Sequence, residues 1–197
     1  MGDDSDATAP NPRRFLAIAL GFELGLGAFA LALALLLDLE PWLDLRSDGW
    51  LLPTAIAATL PMLGVLPIVA GSRGDWAARL RRLLDENVLP LFAGLPGWAI
   101  AAIALAAGVG EELLFRGVVQ AGLAGVSGPV VALVVASLLF GLAHALTPAY
   151  FVLATCMGLY LGGVYLATGN LLVVILVHFF YDWIALAWLM TRRPARA

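Results

Sequence analysis

The run Gly110–Gly117, GEELLFRG, sets two adjacent carboxylates and an arginine into an otherwise apolar stretch. Glu112 and Arg116 stand four residues apart, one turn along the same helix face, where they can pair. Glu111 is offset from Glu112 by about 100° and is left without a local cation. A carboxylate not committed to an ion pair, in a low-dielectric site, is suited to act as a general base near neutral pH. The alternative use of the same three residues is a structural ion-pair cluster that ties helices together.

The only two histidines lie further along, in FGLAH (Phe140–His144) and HFFYD (His178–Asp182). His178 and Asp182 share a helix face, so Asp182 can accept a hydrogen bond from His178 and fix its tautomer and ring orientation. A lone histidine in an apolar helix is most often a satisfied packing residue. Two, each on a helix that joins the same acidic cluster, point to chemistry. They could also ligate a divalent metal such as zinc, with Glu111, His144 and His178 as the ligands. The H-E-x-x-H spacing of soluble zinc proteases is absent, so this metal expectation rests on composition.

These groups must be held by elements of an unusual kind. Of 197 residues, 62% are hydrophobic and 13% charged, with a mean hydropathy of +0.95. Soluble domains are roughly half apolar and about a quarter charged, so this chain cannot clothe a water-facing surface. The same figures exclude disorder, which needs low hydrophobicity and high charge. With a net charge of −3 there is no basic footprint for a nucleic acid. The single cysteine, Cys156, forms no internal disulfide. The expected fold class is all-α: a polytopic membrane helix bundle of about six transmembrane helices with an intramembrane catalytic cavity.

Along the chain, residues 1–14 read as a disordered N-terminal tail, residues 15–190 as one transmembrane domain and 191–197 as a cytoplasmic tail. Apolar runs place spans at about 15–37, 50–70, 91–126, 128–145, 150–168 and 171–190, with no internal repeat. Between the second and third spans, Trp76, Leu80, Leu83 and Leu84 oppose Arg79, Arg81 and Arg82. That spacing suits a short helix on the membrane surface or a solvated linker helix. With six spans, Arg13 and Arg14, Arg73 to Arg82, and Arg192, Arg193 and Arg196 fall on one side, and only Arg46 on the other. The positive-inside rule then predicts a multi-pass protein of the cell membrane with both termini cytoplasmic.

A charged side chain at the bilayer centre costs roughly 2.5–3.5 kcal/mol, so each needs a partner, a wet cavity or a function. Glu23, alone in the first span, reads as structural or headgroup-facing. Gly158, Gly162 and Gly163 read as a close-packing stripe, the tyrosines and tryptophans largely as interfacial anchors.

The three motifs together, Glu111-Glu112-x-x-x-Arg116, Phe140-x-x-x-His144 and His178-x-x-x-Asp182, resemble the CPBP family of CAAX prenyl endopeptidases and bacteriocin-processing or immunity proteins. The resemblance covers a motif-bearing core of about residues 92–190. It implies an intramembrane protease, of metallo or glutamate type, acting on a membrane-associated protein or peptide within the lipid bilayer. By resemblance, Glu111 would activate water, His144 would position or polarise it, and Glu112 and Arg116 would hold the first motif. His178 and the residue four later would stabilise the oxyanion. Here that residue is Asp182 where the family often has asparagine, and an ionised aspartate would repel an oxyanion. It can instead orient His178, ligate a metal or, protonated, donate.

A non-proteolytic immunity or scaffold protein that keeps the fold is the alternative function, and a small proton-coupled transporter a third. One geometric demand follows for the enzyme. Counted from Pro96, Glu111 lies about 22 Å along its helix, whereas His144 falls near the cytoplasmic end of the fourth span. The two meet only if these span limits shift, and Gly94, Pro96, Gly97, Gly108 and Gly110 offer places for a break.

Overall fold

A computed structural model describes residues 11–192. The expected tails at 1–10 and 193–197 lie outside the described residues. Within the rest, every regular element is helical. The long helices are α1 (Pro12–Leu36), α2 (Leu51–Gly71), α8 (Pro148–Thr168) and α9 (Leu171–Thr191). A fifth continuous helical span, Gly97–Ser127, comprises α5 (Gly97–Glu112), a π-helical stretch over Leu113–Gln120, and α6 (Ala121–Ser127). α7 (Pro129–Ala143) is apolar but only 15 residues long. Two short helices, α3 (Asp75–Leu83) and α4 (Leu89–Phe92), join α2 to α5.

Five helices are long and apolar enough to cross a membrane, and α7 makes a sixth, shorter one. At about 1.5 Å per residue α7 reaches some 22 Å, less than the roughly 30 Å hydrocarbon core. The Gly97–Ser127 span and α9 form the centre: 61% and 44% of their apolar windows are buried, against 11% for α1 and 17% for α2. The outer helices present Leu, Ile, Phe and Val side chains outward, which a lipid surrounding tolerates and water does not.

Local chemistry sets the boundaries. α1 begins at Pro12, three residues before the apolar run, because the Asn11 side chain accepts from the amides of Arg13 and Arg14 and proline suits the first helical position. Residues 12–14 are therefore helix rather than the end of a tail. The third span starts at Gly97 and not at 91, since Gly94 takes φ +80 and Pro96 caps the helix that follows. α8 ends at Gly169 in the left-handed conformation, φ +54. Asn170 then starts α9, its Oδ1 accepting from Leu172 N at 3.0 Å and Arg46 N at 3.2 Å. Arg46 in turn donates to the carbonyls of Thr168, at 2.9 Å, and Gly169, placing a cation at the negative end of α8.

α3 carries Trp76, Leu80 and Leu83 of the expected short helix, Leu84 opens the π-helical turn that follows, and part of the apolar face packs on protein. Ala77 and Leu80 are buried against the protein, Trp76 is exposed, and Arg81 Nη1 donates to Val69 O at 2.6 Å and Ser72 O at 2.9 Å. The guanidinium thus satisfies the last carbonyls of α2 and fixes α3 across that helix end.

Candidate active site

The polar cluster forms where α5, α7, α8 and α9 meet. Two glycines on α5 make this possible. A Cβ on Gly108 would stand 2.9 Å from Ile175 O and 3.3 Å from Phe179 N, so α9 crosses α5 in direct backbone contact, one turn before Glu112. A Cβ on Gly110 would stand 2.6 Å from Glu23 O, so α1 crosses just as closely beside Glu111.

Glu112 and Arg116, both wholly buried, pair at 2.9 Å between Oε1 and Nη1. The same Oε1 receives His178 Nδ1 at 2.7 Å. Arg116 spends Nη2 on Gly158 O at 3.0 Å and lies over the Phe140 ring at 4.7 Å. Four residues on, Gln120 repeats the device, donating to Gly162 O at 3.1 Å. A Cβ on Gly158 would sit 3.1 Å from Ser137 Cα, and one on Gly162 would run into Gln120 and Leu133. Those two glycines are close-packing residues as the stripe suggests, whereas Gly163 has open space around it.

His178 is held at both ends, since its Nε2 lies 3.3 Å from Asp182 Oδ2. Glu112 and Asp182 are acceptors when ionised, so the ring meets both only as a double donor. Asp182 thus stands where it can orient His178. His144 Nδ1 lies 2.8 Å from Phe140 O. A carbonyl only accepts, so this nitrogen carries the hydrogen, and in the neutral ring Nε2 keeps its lone pair. That Nε2 faces Glu111 Oε2 at 3.6 Å, beyond a direct hydrogen bond. Glu111 Oε2 has no hydrogen-bond partner among the described residues. The Phe140 ring stacks on His144 at 4.5 Å and meets His178 edge-on at 6.1 Å, spacing the two imidazoles.

All six residues singled out by the motifs therefore come together: Glu111, Glu112, Arg116, His144, His178 and Asp182. The depth difficulty dissolves when both helices are measured from Gly128. Glu111 lies about 26 Å back along α6 and α5, and His144 about 24 Å along α7. The 31-residue span is longer than a bilayer needs and α7 is shorter, which brings the two side chains level.

Glu23, read from the sequence as structural or headgroup-facing, belongs to this cluster. It lies within electrostatic reach of Glu111, His178, Asp182 and His144, and its Oε2 is buried without a partner among the described residues. Gln120 continues the Glu112–Arg116 stripe by one turn, a signal present in the spacing. Tyr150 follows no motif spacing and becomes visible only in the fold.

Glu111, His144, His178 and Asp182 open onto a cavity of ≈ 710 Å³ that runs past Tyr150 and Tyr181 towards Leu80, Arg81 and Arg192. Trp183 stands outside it, stacked on Phe179.

Residues 93–184 match the family model described as type II CAAX prenyl endopeptidase Rce1-like. The matched segment is similar to that family over just under half of the chain. The match contains all six polar residues, and it begins just before α5 and ends two residues after Asp182. No curated protein and no solved structure matches the chain. Beside this match stand five helices long and apolar enough to cross a membrane, as in a multi-pass membrane protein.

The three expected metal ligands, Glu111, His144 and His178, are not disposed as a three-ligand site among the described residues. Both nitrogens of His178 face carboxylates, which leaves Glu111 and His144 alone. Among the described residues no group of three His, Cys, Asp or Glu is disposed to hold an ion.

Proposed function

We propose that this protein is an intramembrane endopeptidase that hydrolyses a peptide bond in a membrane-associated protein or peptide. The observation that carries the reading is the pairing of Glu111 Oε2 with His144 Nε2, 3.6 Å apart on the cavity wall. Every other charged group of the cluster except Glu23 is spent on a neighbour, whereas these two atoms face each other uncommitted. One water can sit within hydrogen-bond distance of both.

In this mechanism Glu111 takes a proton from that water as its oxygen attacks the substrate carbonyl carbon. The lone pair on His144 Nε2 accepts the water's second hydrogen and aims it. The tetrahedral intermediate then collapses: the carbon–nitrogen bond breaks and Glu111 returns the proton to the leaving amine. Glu112, Arg116 and Asp182 act through His178 and the helix crossings, keeping α5, α8 and α9 in register around the reacting centre. No metal enters these steps.

Orientation follows from arginine placement. Arg13 and Arg14, Arg73 to Arg82 and Arg192 cluster on one side of a six-helix arrangement, which supports cytoplasmic termini and a cavity mouth near Arg81 and Arg192 that opens towards the cytoplasm.

The test is cleavage of quenched-fluorescent membrane-anchored peptides by the full chain in liposomes, comparing wild type with Glu111→Ala and His144→Ala. Loss of cleavage in both supports the reading. Equal cleavage in both removes the catalytic assignment, and a wild type that cleaves nothing yet still protects a partner, as do both variants, favours a non-proteolytic immunity or scaffold role.

A further inference from the structure

We propose that Tyr150 is a further catalytic residue, its hydroxyl donating the hydrogen bond that stabilises the oxyanion during peptide hydrolysis. The inference rests on the endopeptidase reading and deepens it.

The argument is a census of donors. An oxyanion in an apolar cavity needs an N–H or O–H placed where its charge develops. His178 directs both nitrogens at Glu112 and Asp182. His144 gives its Nδ1 hydrogen to Phe140 O. Arg116 is sealed away on Glu112 and Gly158 O. Arg81 commits its Nη1 to Val69 O and Ser72 O, Arg192 lies over the Trp188 ring, and the unpartnered Thr155 hydroxyl sits against Gly141, outside the cavity lining. Asp182 turns Oδ2 to His178 Nε2 and carries no N–H to donate.

The tyrosines divide cleanly. Tyr160 donates to Ala58 O at 2.7 Å and Tyr165 to Asp44 Oδ2 at 2.5 Å, so both are structural. Tyr150 and Tyr181 line the cavity, and neither hydroxyl has a hydrogen-bond partner among the described residues. Between these two, position decides. Tyr150 packs edge-on against the His144 ring at 6.2 Å and lies within reach of the charges of Glu111 and Asp182. The neighbours of Tyr181 in the same sense are Asp182 and Tyr150. The carbonyl under attack must lie beside the water shared by Glu111 and His144, and of the two tyrosines Tyr150 is the one in ring contact with His144. Its backbone is fixed there too, because Tyr150 N donates to the capping hydroxyl of Thr147 at 3.2 Å in the first turn of α8.

The experiment uses the full chain in liposomes with the quenched-fluorescent membrane-anchored peptide that the wild type cleaves fastest. Tyr150→Phe keeps the ring and its packing and removes only the hydroxyl. The expected result is a fall in kcat of about 10²-fold with KM changed by less than about threefold, the scale of one lost oxyanion donor. Asp182→Asn in the same background keeps an oxygen for His178 and adds an N–H facing the cavity. The double variant Tyr150→Phe/Asp182→Asn is expected to recover at least about tenfold over Tyr150→Phe, which a packing role for the hydroxyl would not allow. Wild-type kcat in Tyr150→Phe, or a double variant no faster than the single one, overturns the inference while leaving the endopeptidase reading intact. A wild type that cleaves no peptide overturns both.

Discussion

Glu112 Oε1 stands 2.7 Å from His178 Nδ1 and 2.9 Å from Arg116 Nη1, so one buried oxygen joins the first and third motifs. This makes Glu112 the joint of the frame, not a bystander next to Glu111. Removing one member of a buried ion pair leaves the other charge uncompensated, at about 3–5 kcal/mol. Glu112→Ala is therefore expected to lower the thermal unfolding midpoint in detergent sharply, and to abolish cleavage through loss of His178 orientation. Glu111→Ala, measured in parallel, is expected to unfold close to wild type, because no hydrogen bond to Glu111 Oε2 is broken.

Glycine substitutions separate close helix crossings from open positions. At Gly108 a methyl group would meet the backbone of α9, which cannot move aside without carrying His178 with it. Gly108→Ala is expected to destabilise by about 1–3 kcal/mol and to reduce cleavage. Gly163→Ala, in open space on α8, is expected to be neutral or to stabilise by up to about 1 kcal/mol through helix propensity. Thermal unfolding and cleavage of the two variants side by side check the contrast.

Because His178 is engaged at both nitrogens, dialysis against a strong chelator is expected to leave cleavage unchanged. Loss of activity on chelation, restored by zinc, would instead show that Glu111 and His144 recruit an ion with help from another ligand. Metal content of the purified chain, measured alongside, completes the check.

The arginine asymmetry predicts that reporter domains fused at either end are accessible from the cytoplasmic side of intact cells. A reporter inserted in the loop near Arg46 is expected to be accessible only from the opposite side.

Much of this was legible in the sequence, because in an apolar chain each charge declares itself. The four-residue spacings of Glu112 with Arg116 and of His178 with Asp182 translate directly into one-turn contacts. Whatever depended on helices crossing at particular heights was not legible. The mutual approach of Glu111 and His144 follows from the unequal lengths of Gly97–Ser127 and α7, and an apolar run alone does not fix such limits. The link from Glu112 to His178 needs α5 and α9 to touch at Gly108, a tertiary fact. Tyr150 looks like any interfacial tyrosine until the fold shows it lining the cavity against the His144 ring. Glu23 looks solitary until α1 is laid across Gly110.

The central claim is that Glu111, paired with His144 across 3.6 Å, is the base that activates water. Its most direct test is the cleavage rate of Glu111→Gln, a substitution that preserves shape and removes the basic oxygen. A fall in kcat of about 10²–10⁴-fold, with the unfolding midpoint at its wild-type value, is the predicted result. Cleavage by Glu111→Gln at the wild-type rate would contradict it.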